Sequence, residues 1–340
     1  MSFPSPFPVS ARYQEREYEC VRCNLCPHRC LLKEGQRGLC GVREVQSGNL
    51  VSLVYGDPIS GVADPIEKKP LFHFLPGAMA FSYATVGCNL HCVFCQNHSI
   101  SQQQSRIGSS IRVSPAQLVG AAKESSSRII AHTYTEPTIY FEYAYDVAQL
   151  ADELGIRNVF VTNGYIQPRP VRDIAPYLQA ANVDLKAFSE HSYRAALGGR
   201  LKPVLDTITL LKELGIWVEV TTLVIPGFND SEPELRDIAR FLAGLDPAIP
   251  WHVSRFHPDF QLLDRGRTPP ETISRACEIG QEEGLKYVYA GNLRGSEREH
   301  TYCPACGQTV IARHGFRVDL NHLESGHCGH CGHLLNGIWV

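Results

Sequence analysis

Thr85-Val86-Gly87-Cys88-Asn89-Leu90-His91-Cys92-Val93-Phe94-Cys95 joins the end of an apolar, strand-like run to three thiols at C-x-x-x-C-x-x-C spacing. A closed zinc site takes four ligands, commonly as two C-x-x-C pairs, so this odd set with its longer first gap suits zinc poorly. His91 offers a fourth ligand, but its place beside Cys92 directs it elsewhere. Three thiolates on a four-iron cube leave one iron open, and an open iron can bind a substrate or cofactor where a fully ligated cluster carries electrons. The spacing therefore points to a catalytic [4Fe-4S] site on Cys88, Cys92 and Cys95.

The surrounding chain has 340 residues, 44% hydrophobic and 20% charged, enough for one large domain with small appendages. A formal net charge of -3 gives no general attraction to nucleic acid or anionic membrane. The first sixteen residues lack an apolar signal-peptide core and no later stretch is apolar enough to span a bilayer, so a cytoplasmic protein with no membrane partner is expected. Its 13 cysteines cluster at short spacings, which favours metal ligation over disulfides. Cys277 stands alone among Ile273, Ala276 and Ile279 and reads as a buried, inert thiol.

Three segments are expected: a Cys-rich metal-binding lobe over 1–78, an α/β unit over 79–295 and a zinc ribbon over 296–340. In the middle segment, strand patterns at 80–86, 128–133, 158–162, 182–187, 217–225, 251–256 and 286–290 alternate with helical ones. Ser114-Pro115 supplies an N-cap and an N1 proline, and Gly155 and Gly215 follow helical runs as C-terminal caps. Ser231 with Glu234 and Thr268 with Glu271 read as capping boxes. The alternation implies a parallel sheet, as a partial (β/α) barrel of six or seven units or, as the alternative, a doubly wound open sheet.

Either architecture gathers function at the C-terminal strand ends. Cys88, Tyr134-Thr135-Glu136-Pro137, Asn163-Gly164, Lys186, Pro226-Gly227, His257 and Asn292 all fall there. Singly, each has a plain structural reading; their shared edge with the three-cysteine loop makes them candidates for one ligand site.

This combination resembles the radical S-adenosylmethionine superfamily, whose cluster motif matches Cys88, Cys92 and Cys95, with Phe94 in its aromatic position. The resemblance implies a partial (β/α)6-type barrel. It also implies an enzyme that cleaves S-adenosylmethionine reductively and abstracts hydrogen with the resulting 5′-deoxyadenosyl radical. By resemblance, Glu136-Pro137 corresponds to a Gly-Gly-Glu-Pro segment that supports the cofactor's amino group, with Tyr134-Thr135 in place of the glycines. Asp184-Leu185-Lys186 resembles the Asp-x-Lys strand of glycyl-radical activating enzymes, and Asn163 and His257 stand where ribose or carboxylate contacts fall.

More narrowly, Cys23–Cys30, Asp64–Gly77 and Cys95-Gln96-Asn97 resemble the radical enzymes of the AmmeMemoRadiSam system, related to pyruvate formate-lyase activating enzymes. That likeness implies an electron donor such as flavodoxin or ferredoxin, and Memo-like or AMMECR1-like proteins or a protein substrate as partners.

Cys303, Cys306, Cys328 and Cys331 form two C-x-x-C pairs about twenty residues apart, a zinc-ribbon pattern that His327, His330 and His333 flank. Ribbons can contact nucleic acid, so a zinc-stabilised nucleic-acid-binding or scaffold protein is the competing reading. Asp319 and Glu324 offset Arg313 and Arg317 there, which argues against nucleic acid. Cys23, Cys26, Cys30 and Cys40 make another four-ligand set, with Cys20 and Cys23 an alternative pair. Zinc and an auxiliary [4Fe-4S] cluster both suit it; we favour zinc, since a stapled lobe needs no redox role.

Overall fold

The computed structural model describes residues 8–108, 111–293 and 295–340, so the beginning of the Pro-rich start lies outside the described residues. An eight-stranded sheet forms its centre. The strands are β1 (Ser60–Pro65), β2 (Met79–Ala84), β3 (Ile129–His132), β4 (Arg157–Thr162), β5 (Ala180–Asp184), β6 (Trp217–Val224), β7 (Trp251–Arg255) and β8 (Val288–Gly291). β1 pairs antiparallel with β2, and from β2 to β8 each strand pairs in parallel with the next in sequence.

A doubly wound sheet reverses its strand order at a switch point, and this one does not. One direction of winding, with β1 and β8 left as separate edges, gives the open, partial barrel. The antiparallel β1 comes from within the segment expected to form the N-terminal lobe.

Helices α1 (Pro115–Glu124), α2 (Phe141–Glu153), α3 (Pro168–Ile174), α4 (Leu201–Glu213), α5 (Glu232–Leu245) and α6 (Pro270–Glu282) pack against the strands. Each buries the apolar face its spacing specifies, as with Leu118, Val119 and Ala122 on α1 and Val204, Ile208 and Leu211 on α4. Cys277 is fully buried on α6, as its neighbours imply. α1 begins with a full capping box, in which Ser114 and Gln117 bond each other's backbone N–H.

The other two capping boxes differ from expectation. Ser231 accepts from the Glu234 N–H, but the Glu234 carboxylate accepts instead from the Phe188 N–H at 2.7 Å. Thr268 does not cap α6: its hydroxyl donates to the Val224 carbonyl at 2.6 Å and accepts from the Phe256 N–H at 3.1 Å, tying two strand ends together. Tertiary partners outcompeted the local cap in both cases.

The barrel is plugged from the N-terminal ends of its strands by the stretch following β1. Glu219 on β6 accepts from the Phe72 and His73 N–H groups at 2.9 and 2.7 Å and meets His252 Nε2 on β7 at 2.6 Å. Asn182 on β5 donates to the Pro70 carbonyl at 2.7 Å. This satisfies an irregular backbone that would otherwise be buried unpaired.

The C-terminal region seals the same end. It carries a three-stranded antiparallel sheet (Thr301–Tyr302, Thr309–His314, Arg317–Asn321), and in its tail the Ile338 carbonyl accepts from the Leu75 N–H at 2.7 Å while the Ile338 N–H donates to the His73 carbonyl at 2.8 Å. Arg313, weighed in the sequence as part of a basic pattern for nucleic acid, is buried. It lies over the Phe72 ring, donates to the Phe72 carbonyl at 2.7 Å and approaches Glu67 at 3.7 Å. Two small antiparallel sheets form the N-terminal lobe, one built on Cys20–Cys23 and one on Arg43–Gln46 and Asn49–Ser52. Arg43 anchors it to α2 through both carboxylate oxygens of buried Glu142.

Candidate active site

The three-cysteine loop leaves β2 through Gly87, whose φ of +102° is a conformation that side chains rarely adopt. A Cβ there would also lie 2.6 Å from Val42 and 2.9 Å from the Cys40 carbonyl, so glycine lets the loop press against the N-terminal lobe. The far side is clamped by backbone: the His91 and Val93 N–H groups donate to the carbonyls of Leu197 and Ala196 at 2.8 and 3.2 Å. Buried Asn89 donates to the Tyr165 carbonyl at 2.7 Å. His91 bonds Gln102 at 2.9 Å and leaves the three thiols to themselves.

These contacts place Cys88, Cys92 and Cys95 on one cavity of about 300 Å³ at the C-terminal strand ends. Phe94, Asn163, Asp184 and Lys186 line it as expected. Phe94 is 4% exposed and meets Phe228 edge-on. Asn163 Nδ2 lies 3.7 Å from Cys88 Sγ and 2.9 Å from Asn89 Oδ1. Lys186 donates to Asp184 at 2.7 Å; burial works against its ammonium, but Asp184 and Cys92 outweigh it and hold it charged.

Two expected contacts fall elsewhere. Glu136 is fully buried and is not among the cavity-lining residues. Its carboxylate accepts from the Thr138 N–H and hydroxyl, the Thr162 hydroxyl and the Asn163 N–H, at 2.6 to 3.0 Å. Burial raises its pKa against those bonds. Glu136 thus fixes the end of β4 and, through it, Asn163. His257 is exposed outside the cavity, with Gln96 at 3.4 Å and Asp259 at 4.0 Å.

Tyr134 replaces a glycine of the resembled motif yet keeps a φ of +64°. Its side chain explains how: the hydroxyl donates to Asp64 at 2.7 Å and the Asn97 amide caps its carbonyl at 2.6 Å. Beside it lies Lys69, which the sequence marked only as part of the Asp64–Gly77 run and not as a site residue. Its ammonium is 2% exposed, donates to Asp64 and Tyr134 at 3.1 Å each and lies over the Tyr134 ring. Burial lowers the Lys69 pKa to about 8 despite Asp64. Asp64 is itself opposed by burial but held at about 2 by Lys68, Tyr134 and Lys69. Lys68 and Lys69 thereby line the same cavity as the cysteine loop. The run Asp64–Gly77 was a signal that this stretch mattered; nothing in it indicated that a lysine would form part of the wall.

Two further cysteine groups flank the barrel. In the C-terminal group the sulfurs of Cys303, Cys306, Cys328 and Cys331 all lie within 4.8 Å of one another, with cross pairs at 3.7 and 3.8 Å. A tetrahedral ion with bonds of about 2.3 Å requires sulfurs about 3.8 Å apart, so this group can bind a metal ion. The flanking histidines are not needed. Cys23, Cys26, Cys30 and Cys40 surround a small closed cavity, with Cys20 outside it.

No helix among the described residues is long and apolar enough to cross a membrane. The Radical SAM superfamily model matches residues 82–242, from β2 into α5. An uncharacterized protein of Methanocaldococcus jannaschii is 43% identical over 92% of this chain and 93% of its own. The benzylsuccinate synthase activating enzyme of Thauera aromatica is 34% identical over 42% of this chain and 49% of its own length. In fold, a radical SAM methyltransferase from Sphaerobacter thermophilus superposes with a TM-score of 0.51 at 18% identity, covering 69% of this chain and 71% of that one. With three cysteines set on the C-terminal edge of a sequentially wound open barrel, this chain belongs to the radical SAM superfamily.

Proposed function

We propose that Cys88, Cys92 and Cys95 hold a [4Fe-4S] cluster whose open iron faces the cavity, and that S-adenosylmethionine binds there. The donor set fits. Burial raises both the Cys88 and the Cys92 thiols, Cys92 to about 11, which keeps them protonated without metal; a bound cationic iron group is what would draw them to thiolates. When loaded, the cluster supplies the electron that cleaves the cofactor's carbon–sulfur bond, giving methionine and a 5′-deoxyadenosyl radical that abstracts hydrogen.

The chain's own residues bind and position. Lys186 offers a fixed ammonium to the cofactor carboxylate and Asp184 an acceptor to its amine. Asn163, held by Glu136, orients polar groups beside Cys88. Phe94 covers the loop and limits water. Glu136 is a positioning residue in this scheme, and His257 has no part in it. Lys68 and Lys69 add positive charge to the cavity wall, which suits a hydrogen donor bearing carboxylate or phosphate.

The observation that carries this reading is the meeting of three thiols with the Lys186–Asp184 pair on one cavity. Relatives that are named activating enzymes favour an activase-like role, with a glycyl radical formed on a protein partner. Memo-like or AMMECR1-like proteins are the alternative partners. Flavodoxin or ferredoxin suits the one-electron supply, and free thiols suit a reducing cytoplasm. Zinc suits the C-terminal group. The nucleic-acid alternative is disfavoured because, of its two basic residues, Arg313 is buried and Arg317 is paired with Asp319.

Anaerobically reconstituted, reduced protein given S-adenosylmethionine is expected to form 5′-deoxyadenosine, and Cys88→Ala to form none above background. No product from iron-loaded wild type, with a known radical enzyme active alongside, rejects the proposal. A glycyl-radical electron paramagnetic resonance signal on an added partner would then separate the activase role from chemistry on a small molecule.

A further inference from the structure

The N-terminal thiols differ from the C-terminal group in three respects that bear on what they hold. First, among the described residues only the C-terminal cysteines draw three or more metal-ligating groups to within 4.8 Å of one another. Cys23, Cys26, Cys30 and Cys40 instead stand around a cavity. A single tetrahedral ion draws its four sulfurs to about 3.8 Å of one another, whereas a four-iron cube spaces them wider.

Second, the missing side chain of Gly38 leaves a cradle between two of the sulfurs. A Cβ there would lie 3.7 Å from Cys30 Sγ and 3.8 Å from Cys40 Sγ.

Third, Arg43 is 1% exposed and lines the same cavity, with Nη1 4.0 Å from Cys23 Sγ. Its Nε–H is buried without a hydrogen-bond partner. A buried orphan donor is uncommon, and an anionic group rich in sulfur acceptors beside it would satisfy it.

We propose that Cys23, Cys26, Cys30 and Cys40 hold a second [4Fe-4S] cluster, in place of the zinc favoured from the sequence. Four thiolates leave no iron open, so the group belongs to the electron-carrier class. Its cavity backs directly onto the active site. Thr138 and Ile139 line it, the Thr138 hydroxyl donates to Glu136 at 2.6 Å, and His28 bonds the Asn89 carbonyl beside Cys88 at 2.7 Å. Cys20 lies on the rim strand and takes no part.

The test is metal content and spectroscopy, independent of the active-site reading. In the full chain with Cys88→Ala, Cys92→Ala and Cys95→Ala, anaerobic reconstitution should leave about four irons and four sulfides per chain, with absorption and a reduced-state resonance signal of a [4Fe-4S] cluster. Adding Cys26→Ala and Cys30→Ala should remove that iron while the C-terminal metal stays. Wild type, which alters neither group, should hold about twice the iron of the triple variant. A triple variant without iron, whether it carries extra zinc or none, overturns the proposal; wild type with only the four irons that the triple variant keeps would count against the cluster at Cys88, Cys92 and Cys95 and leave this one standing. Arg43→Gln should keep the iron but shift the cluster's reduction potential downward; an unchanged potential would remove Arg43 from the site.

Discussion

The two ends of the chain each bring four thiols against one barrel, and they do so differently. At the C-terminus the sulfurs are already drawn to single-ion spacing. At the N-terminus they stand around a closed cavity against α2 and the loop leaving β2. Each end is also anchored by a buried arginine–glutamate pair. Burial opposes the Arg43 charge, but Glu142, gripped through both oxygens, outweighs it and raises its pKa. For Arg313, burial prevails and lowers it, and burial likewise raises Glu67 at 3.7 Å. A buried pair offsets its desolvation only with close geometry, so the N-terminal anchor is the stronger one.

The comparison breaks most visibly on metal removal. With zinc at the C-terminal group, as proposed, a zinc chelator should unfold that region, since structural zinc supplies on the order of 10 kcal/mol to such a lobe. Hydrogen exchange should then quicken at Val310 and Ile311 while Val21 and Val45 stay protected, all four being buried in their own lobes. Simultaneous loss of protection at both ends would mean that the two groups hold the same kind of metal.

The anchors give the next effect. Arg43→Met strands the Glu142 carboxylate and should cost about 3–5 kcal/mol in denaturant unfolding. Arg313→Met should cost less, about 1–3 kcal/mol, because Glu67 can take up a proton and still accept from the Gly77 N–H. The reverse order would contradict the assignment of the stronger anchor.

The smallest effect comes from the barrel between them. Burial pushes His132 down to about 3, against its bond to Asn158. The unfolded chain therefore takes this proton first, near pH 6.5, and stability falls as pH drops through that value, by about 2 kcal/mol at pH 5 for this one group. His132→Leu should flatten the difference between pH 7 and pH 5 by that amount, whatever its effect on stability at pH 7. An unchanged difference would show that His132 takes its proton in the folded state.

Much of this architecture is legible in the amino-acid sequence, because it is written in short-range pattern. The strands at 80–86 and 217–225 appear within two residues of their expected ends, since a run buried on both faces declares itself by composition. Cys88, Asn163 and Lys186 follow from position alone, because parallel strands bring their ends to one edge. The failures have a common cause. Thr268 left its cap for Val224, Glu136 turned inward to Thr162 and Asn163, and Arg313 went under the barrel to Phe72. Each is a polar group whose partner lies far away in sequence, and no local period reports such a partner.

The sequence by itself determined a parallel α/β unit with three sulfurs at its edge, and carried the resemblance to the family, because spacing and periodicity survive without coordinates. Only the tertiary structure decided that the strands wind in sequence into an open barrel, that the C-terminal sulfurs reach single-ion spacing and that Lys69 joins the cavity wall. Those outcomes depend on distances between segments that meet only when the barrel closes, where a sulfur spacing or a buried ammonium takes its meaning from what lies across the gap.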